Sequence, residues 1–227
     1  MSPESAKPMG GIMPSTPSAA YGLTIGYWQG EFVAYFGGNE NGVTQWCTGD
    51  NLGLGTPATH AWHHLAFVRD GDQFTGFIDG AVAGTVAAPG CALTGGGSLT
   101  VGEGSITTGT WSGFIDEFRL SKGVARWTSS FIPMTDVQPT AAPVGSPTSP
   151  TLSPTRSDGY DTDSSTSLLL HLEGAEGSID VTDVSGKGHL VAIGGAHITT
   201  AESVAGGSSV YFDGTVSSRI RVADSDD

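Results

Sequence analysis

Short apolar runs separated by Asp-Gly pairs constrain this chain more than any other feature. Trp62-His63-His64-Leu65-Ala66-Phe67-Val68-Arg69 runs into Asp70-Gly71, and Phe77-Ile78 runs into Asp79-Gly80. Asp-Gly between apolar runs marks the two-residue loops of antiparallel hairpins, which need the positive φ that Gly and Asp tolerate. The spacing predicts a three-strand meander over residues 62–69, 73–78 and 81–86. Its first strand is apolar on both faces, as a strand covered on both sides inside a sandwich must be. Further strands are predicted over 21–28, 31–36, 43–47, 99–101 and 113–120, and, after an ordered unit that opens at 167–174, over 208–214 and 219–222. No window carries a sustained 3.6-residue apolar period, so no substantial helix is expected. The 35 Gly and 12 Pro residues suit a turn-rich all-β chain with a low-complexity linker.

Charge narrows the partners. Nine Lys and Arg against 23 Asp and Glu give a net charge of −14. So few cations cannot build a phosphate-binding stripe, which argues against nucleic acid and against an anionic membrane surface. The acidity suits a cation or a basic partner. No apolar run approaches transmembrane length, so no membrane insertion is expected. Met1-Ser2-Pro3-Glu4-Ser5-Ala6-Lys7-Pro8 lacks the apolar centre of a signal peptide. Two cysteines, Cys47 and Cys91, are a weak basis for an oxidising compartment. Two free thiols are expected, with a bonded pair as the alternative.

Composition divides the chain into an irregular arm (1–20), an ordered piece (21–135), a Pro/Ser/Thr-rich linker (136–164) and a second ordered piece (165–227). The linker carries Pro139, Pro143, Pro147, Pro150 and Pro154 and too little apolar area to offset its ordering entropy. Asp158, Asp161 and Asp163 hint at a calcium loop, but the glycine and closing glutamate of an EF-hand are missing. They read as the solvated acidic end of the linker.

The order of these pieces resembles the laminin-G-like, concanavalin A-like lectin domains. Gly113 through Trp127 carries much of the likeness, and its ending Ser121-Lys122-Gly123-Val124-Ala125-Arg126-Trp127 resembles the form found in tailed-phage virion proteins. The resemblance implies an antiparallel jelly-roll sandwich. It also implies a permuted order: residues 167–222 look like the opening strands, and 21–135 like the middle and closing ones. One strand of the Phe-x-Ile-x-Phe-Trp type has no evident counterpart. Left alone, either piece would expose sheet edges and apolar faces. Some form of strand complementation is therefore expected: a permuted single domain, exchange with a neighbouring chain, or a cut from a tandem array. A flexible linker of about 30 residues spans roughly 30 Å, which reaches within or between chains.

The resemblance also nominates a site. An acid in the last strand of such domains often helps to hold a structural calcium together with the end of the first strand, which here implicates Asp116, Glu173 and Gly174. Strand alternation places Phe114, Asp116, Phe118 and Leu120 on one face. Calcium takes carboxylates and backbone carbonyls together. Leu172-Glu173-Gly174 departs from the family's Phe-Asp-Gly, and Asp116 capping loop amides without metal is the equal alternative. Related glucanases use a Glu-x-Asp-x-x-Glu strand. That triplet is missing, as is any Gly-x-Ser-x-Gly elbow, so no enzymatic activity is expected. His63-His64 cannot chelate from adjacent strand positions; one ring packs and the other hydrogen-bonds. Trp46 and Trp111 lie nearest loops and are the candidates for glycan stacking. The function expected is a non-enzymatic structural or accessory protein of a tailed-phage virion: a capsid decoration, fibre or tail appendage. Its partners would be other copies of itself and other virion proteins. The alternative is a carbohydrate-binding module for host surface glycans.

Overall fold

Why the Asp-Gly pairs matter is clear from the meander they close. The computed structural model describes residues 13–14, 23–28, 31–40, 43–47, 52–58, 60–93, 99–102, 110–133 and 162–223. Within them β6 (Leu65–Asp70), β7 (Gln73–Ile78) and β8 (Ala81–Ala87) form one antiparallel sheet. Asp79 and Gly80 both take positive φ, 52° and 75°, as a type I′ hairpin loop requires. Before this sheet come β1 (Met13–Pro14), β2 (Leu23–Trp28), β3 (Glu31–Glu40), β4 (Val43–Trp46) and β5 (Leu52–Gly55). The long β3 organises a second sheet, pairing with β2, β4, β5 and with β9 (Cys91–Leu93).

The first core lies between these sheets. Phe32, Ala34 and Phe36 of β3 pack with Leu52, Leu54 and Phe74, and Phe36 stacks on Phe74 at 4.2 Å. β6 is covered on both faces as predicted. Leu65 and Phe67 turn toward this core, while Ala66 and Val68 join Phe77 under Ala125, Trp127 and Phe131. Cys47 and Cys91 are bonded, with Cα atoms 5.7 Å apart, which corrects the free-thiol expectation. Cys47 follows β4 and Cys91 opens β9, and both of these strands pair with β3. Closing a loop of 44 residues contributes about 4 kcal/mol in the chain-entropy account.

The remaining strands join the two ordered pieces. β10 (Leu99–Val101) pairs with β17 (Arg219–Val222), β11 (Ser112–Ile115) with β16 (Ser209–Asp213), and β12 (Phe118–Ser121) with β13 (Thr166–Leu170). β14 (Val191–Gly194) adds to β17, β15 (His197–Thr199) to β16, and β1 to β10. All of these pairings are antiparallel and lie within one chain. A second core fills behind them, with Leu168, Leu170, Ile198, Val210, Phe212 and Ile220 fully enclosed. Trp111 packs against both cores. No helix occurs among the described residues. Most of the expected linker, and most of the expected arm, lie outside them.

The strand expected over 113–120 is broken in two. Glu117 has φ 52°, and this left-handed residue ends the pairing with β16 and starts that with β13. The break shifts the alternation. Ile115 and Phe118 both face the second core, Phe114 turns away from it, and Leu120 is 43% exposed. The single shared face expected for Phe114, Asp116, Phe118 and Leu120 therefore does not form.

Candidate functional site

The break at Asp116-Glu117 builds a cluster of charged groups at a sandwich corner. Asp116 Oδ2 accepts the amides of Val204 and Ala205 at 2.8 and 3.0 Å, which holds the loop before β16. Its other oxygen, Oδ1, is buried without a hydrogen-bond partner. Burial pushes the Asp116 carboxyl above the usual range; the amides of Ala205, Val204 and Glu117 oppose this and the Glu173 charge adds to it. Glu173 lies against Gly206, which has φ 65° and where an added Cβ would overlap the Glu173 carboxylate. Gly174 donates its N–H to Ser208 Oγ at 3.0 Å. The structure thus brings Asp116, Glu173 and Gly174 into one corner. Among the described residues no three His, Cys, Asp or Glu side chains gather as a metal cluster.

A second acid sits beside the first. Glu117 is only 3% exposed and accepts a hydrogen bond from His171 Nδ1 at 2.8 Å. Leu172, with φ 61°, carries the chain from His171 to Glu173. Next to them opens a cleft of about 180 Å³, lined by His171, Glu173, Asp180 and Thr182 with Val181 and Val184. Among the described residues its wall carries no Phe, Tyr or Trp ring to stack a sugar.

Of the two tryptophans nominated for stacking, Trp111 is committed to packing. Trp111 is half-buried, parallel to Phe32 at 6.4 Å, and sits between the cores. That packing uses the ring face a sugar would need. Trp46 ends β4 opposite Gly37, and its side chain falls outside what the structure describes.

An aromatic row that the sequence reading passed over lies elsewhere. Phe114, Tyr211 and His197 are direct cross-strand partners on β11, β16 and β15. Their neighbours Ile115, Val210, Phe212 and Ile198 face the second core, so the row lies on the opposite face. Ring centres are 5.3 Å apart from Phe114 to Tyr211 and 5.6 Å from Tyr211 to His197. Trp62, 36% exposed, extends the row at 6.3 Å from Phe114. The available signal was phase, because Phe114 and Tyr211 are aromatic at positions that alternate with buried ones.

Other residues the sequence singled out hold the fold. His63 donates to Asp79 and to the Ala58 carbonyl, while His64 packs edge-on to Trp127 and Phe131. The two histidines divide as expected. Arg126 bonds both carboxylate oxygens of Asp163 at 2.9 Å and also reaches Ser121 and Thr166. Asp163 is therefore a tether between the two pieces rather than a purely solvated acid. Asp158 and Asp161 lie outside the described residues.

Comparison with known proteins agrees with this architecture. No curated protein and no solved structure matches the chain. A family model, Laminin_G_3, described as the concanavalin A-like lectin/glucanases superfamily, matches residues 3–128, more than half of the chain. The match ends before the segment whose strands close β10, β11 and β12. An all-β antiparallel sandwich and a family match over more than half of the sequence lead to one statement: the chain belongs to the concanavalin A-like lectin/glucanases superfamily.

Proposed function

We propose that this protein is a non-enzymatic module of a tailed-phage virion, a capsid decoration, fibre or tail appendage that uses its lectin-like sandwich for assembly. The observation that carries it is the joint between the pieces. The Ser121–Trp127 segment, which resembles virion proteins, is the segment that tethers Asp163 and covers the outer face of β6 and β7. Strands that complete a sandwich within one chain are also able to complete a neighbour's, which favours self-association in a particle. The acids of the corner are engaged in holding loops: Asp116 takes two amides and Glu117 takes His171. That use supports a structural rather than a catalytic role. Mass spectrometry of purified particles tests the reading. The chain is expected as a stoichiometric component, and particles that lack it would sink the virion role.

The aromatic row favours a second reading, recognition of host surface glycans; the two coexist in a receptor-binding appendage. A glycan array probed with the whole chain separates them. A blank array with intact particle incorporation leaves assembly alone.

A structural calcium belongs to the proposal as well. The unpartnered Asp116 Oδ1 beside the Glu173 carboxylate is the oxygen chemistry this ion takes, and a backbone carbonyl at Gly174 would complete the set. A bound cation would offset the burial that raises the Asp116 carboxyl, and with it the smaller repulsion from Glu173. Calcium is expected to raise the melting temperature of the wild type and not of Asp116→Asn. Identical melting in calcium and in EDTA would remove the ion from the proposal.

A further inference from the structure

We propose that Trp62, Phe114, Tyr211 and His197 form a binding platform for a neutral oligosaccharide chain. The proposal rests on the glycan-recognition reading above and gives it a place and a ligand class.

The platform is assembled rather than local. Trp62 and Phe114 come from the first ordered piece, Tyr211 and His197 from the second, and the β11–β16 pairing aligns them. Four rings in sequence offer repeated apolar surfaces, with centres 6.3, 5.3 and 5.6 Å apart. That repeat is on the scale of a pyranose ring. A linear glycan presents a C–H face at each residue, so successive sugars are able to meet successive rings. A lone cation, by contrast, needs only one ring.

Polar groups flank the row. Asp213 follows Tyr211 by two positions on β16, which puts it on the same face, and it is exposed. Glu176 is held at the end of β15, where it accepts hydrogen bonds from Thr199 and Thr200 just past His197. Both carboxylates are already fixed by their own loops. Asp213 accepts the Thr215 amide and hydroxyl, and Glu176 accepts the Thr200 amide and hydroxyl. They are pre-positioned acceptors for sugar hydroxyls, with part of their capacity as ion-pair partners spent. Anionic sugars meet these acids and a chain net charge of −14, which excludes them in favour of neutral ones.

Ring orientation adds a constraint. Successive planes are turned by 47°, 47° and 62°. A flat rigid ribbon cannot lie on all four rings, whereas a chain free to twist about its linkages can.

Titration of the whole chain with neutral hexasaccharides (of glucan, xylan and mannan type) tests this, followed by tryptophan fluorescence and by NMR. Oligogalacturonate and oligolysine serve as charged controls. A neutral oligosaccharide is expected to bind, with at least tenfold weaker affinity in Trp62→Ala and a smaller loss in Asp213→Asn. Both variants should stay fully folded at the titration temperature, with Asp213→Asn melting lower because Asp213 holds Thr215. Neutral sugar binding that Trp62→Ala and His197→Ala leave intact would overturn the platform while sparing glycan recognition. Binding of oligolysine or oligogalacturonate alone would overturn the neutral-sugar assignment, and no binding of any saccharide would overturn both.

Discussion

At the scale of single residues, hydrogen-bond bookkeeping separates two neighbouring histidines. Both ring nitrogens of His63 face acceptors, Asp79 at 2.8 Å and the Ala58 carbonyl at 2.9 Å, and only the imidazolium donates to both. Burial opposes the charge, but these partners win and raise the His63 pKa above 6.5. His64 is moved the other way: burial lowers it, and Asp79 only partly offsets that. An NMR titration should find His63 titrating above 6.5 and His64 below it, and the reverse order would refute the assigned partners. Because the His63 value is raised, its contribution to stability is complete below pH 6.5 and fades as pH rises through the folded value. Asp183 behaves oppositely. Its side chain is 1% exposed; burial alone would raise it, yet His189, Ser185 and the Leu169 amide hold it down to about 2. Its stabilisation is present above the unfolded value near 3.8 and is lost as pH falls toward 2. Asp183→Asn removes an acceptor for Ser185 and His189 and should cost on the order of 3 kcal/mol at pH 7, or roughly 6 °C in melting. That gap should narrow as pH falls through 3.8 and be nearly closed at about 2, and a gap constant over that window would dissociate it from Asp183. The roles of His63 and His64 were legible in the sequence because adjacent residues diverge. Asp183 was visible only as part of a turn, since its partners come from three separate positions.

At the scale of elements, the meander was legible because its loops are encoded locally, while the corner was not. Nothing in Gly113-Phe114-Ile115-Asp116-Glu117-Phe118 signals that Glu117 adopts φ 52°, and a regular alternation is the natural reading. The surrounding sheets impose the break, because β11 and β12 belong to different pairings. That one break moved Phe114 outward and hid the aromatic row from the sequence. The strands β5, β9, β14 and β15 were missed for a related reason: they are three or four residues long and take their order from their partners. The Asp79-Gly80 hairpin supplies the test at this scale. Phe131 donates its amide to the Gly80 carbonyl at 2.8 Å, and a Cβ at position 80 would overlap the Phe131 carbonyl and approach Pro133 to 2.7 Å. Gly80→Ala should therefore lift the segment that covers Ala66, Val68 and Phe77, at a cost of about 3 kcal/mol. Gly71→Ala is the control. It has φ 60° and nothing within 4 Å, so backbone strain of about 1 kcal/mol is all it should cost. Hydrogen exchange at Phe131 should accelerate in the first variant and not in the second; equal effects would mean that the contact with Phe131 does not matter.

At the scale of the whole molecule, the first core is built within the first ordered piece, but the second core is enclosed by neither piece alone. The second core takes Val101, Trp111, Ile115 and Phe118 from the first piece and Leu168, Ile198, Val210, Phe212 and Ile220 from the second. Backbone pairing follows the same division: β10, β11 and β12 each find a partner beyond the linker. The need to complement the two pieces followed from their exposed edges. Which strand meets which was not readable, because register depends on partners far away in sequence: Phe114 and Tyr211 are 97 residues apart and are not neighbours in any local pattern. Complementation makes a direct prediction. A protease site introduced between Pro150 and Pro154, cut after purification, should leave two fragments that co-elute at the mass of the intact chain. They should part only under denaturing conditions, since separating them would strip three sheet pairings and open the second core to water. Arg126→Ala in the cut protein should weaken the association, because Arg126 ties Asp163 and Thr166 across the joint, while the intact chain should tolerate the change with little loss. If the fragments separate freely in native buffer and each keeps a cooperative melt, the two pieces are independent folds. The shared core, the aromatic platform and the assembly role built on the joint would then fall together.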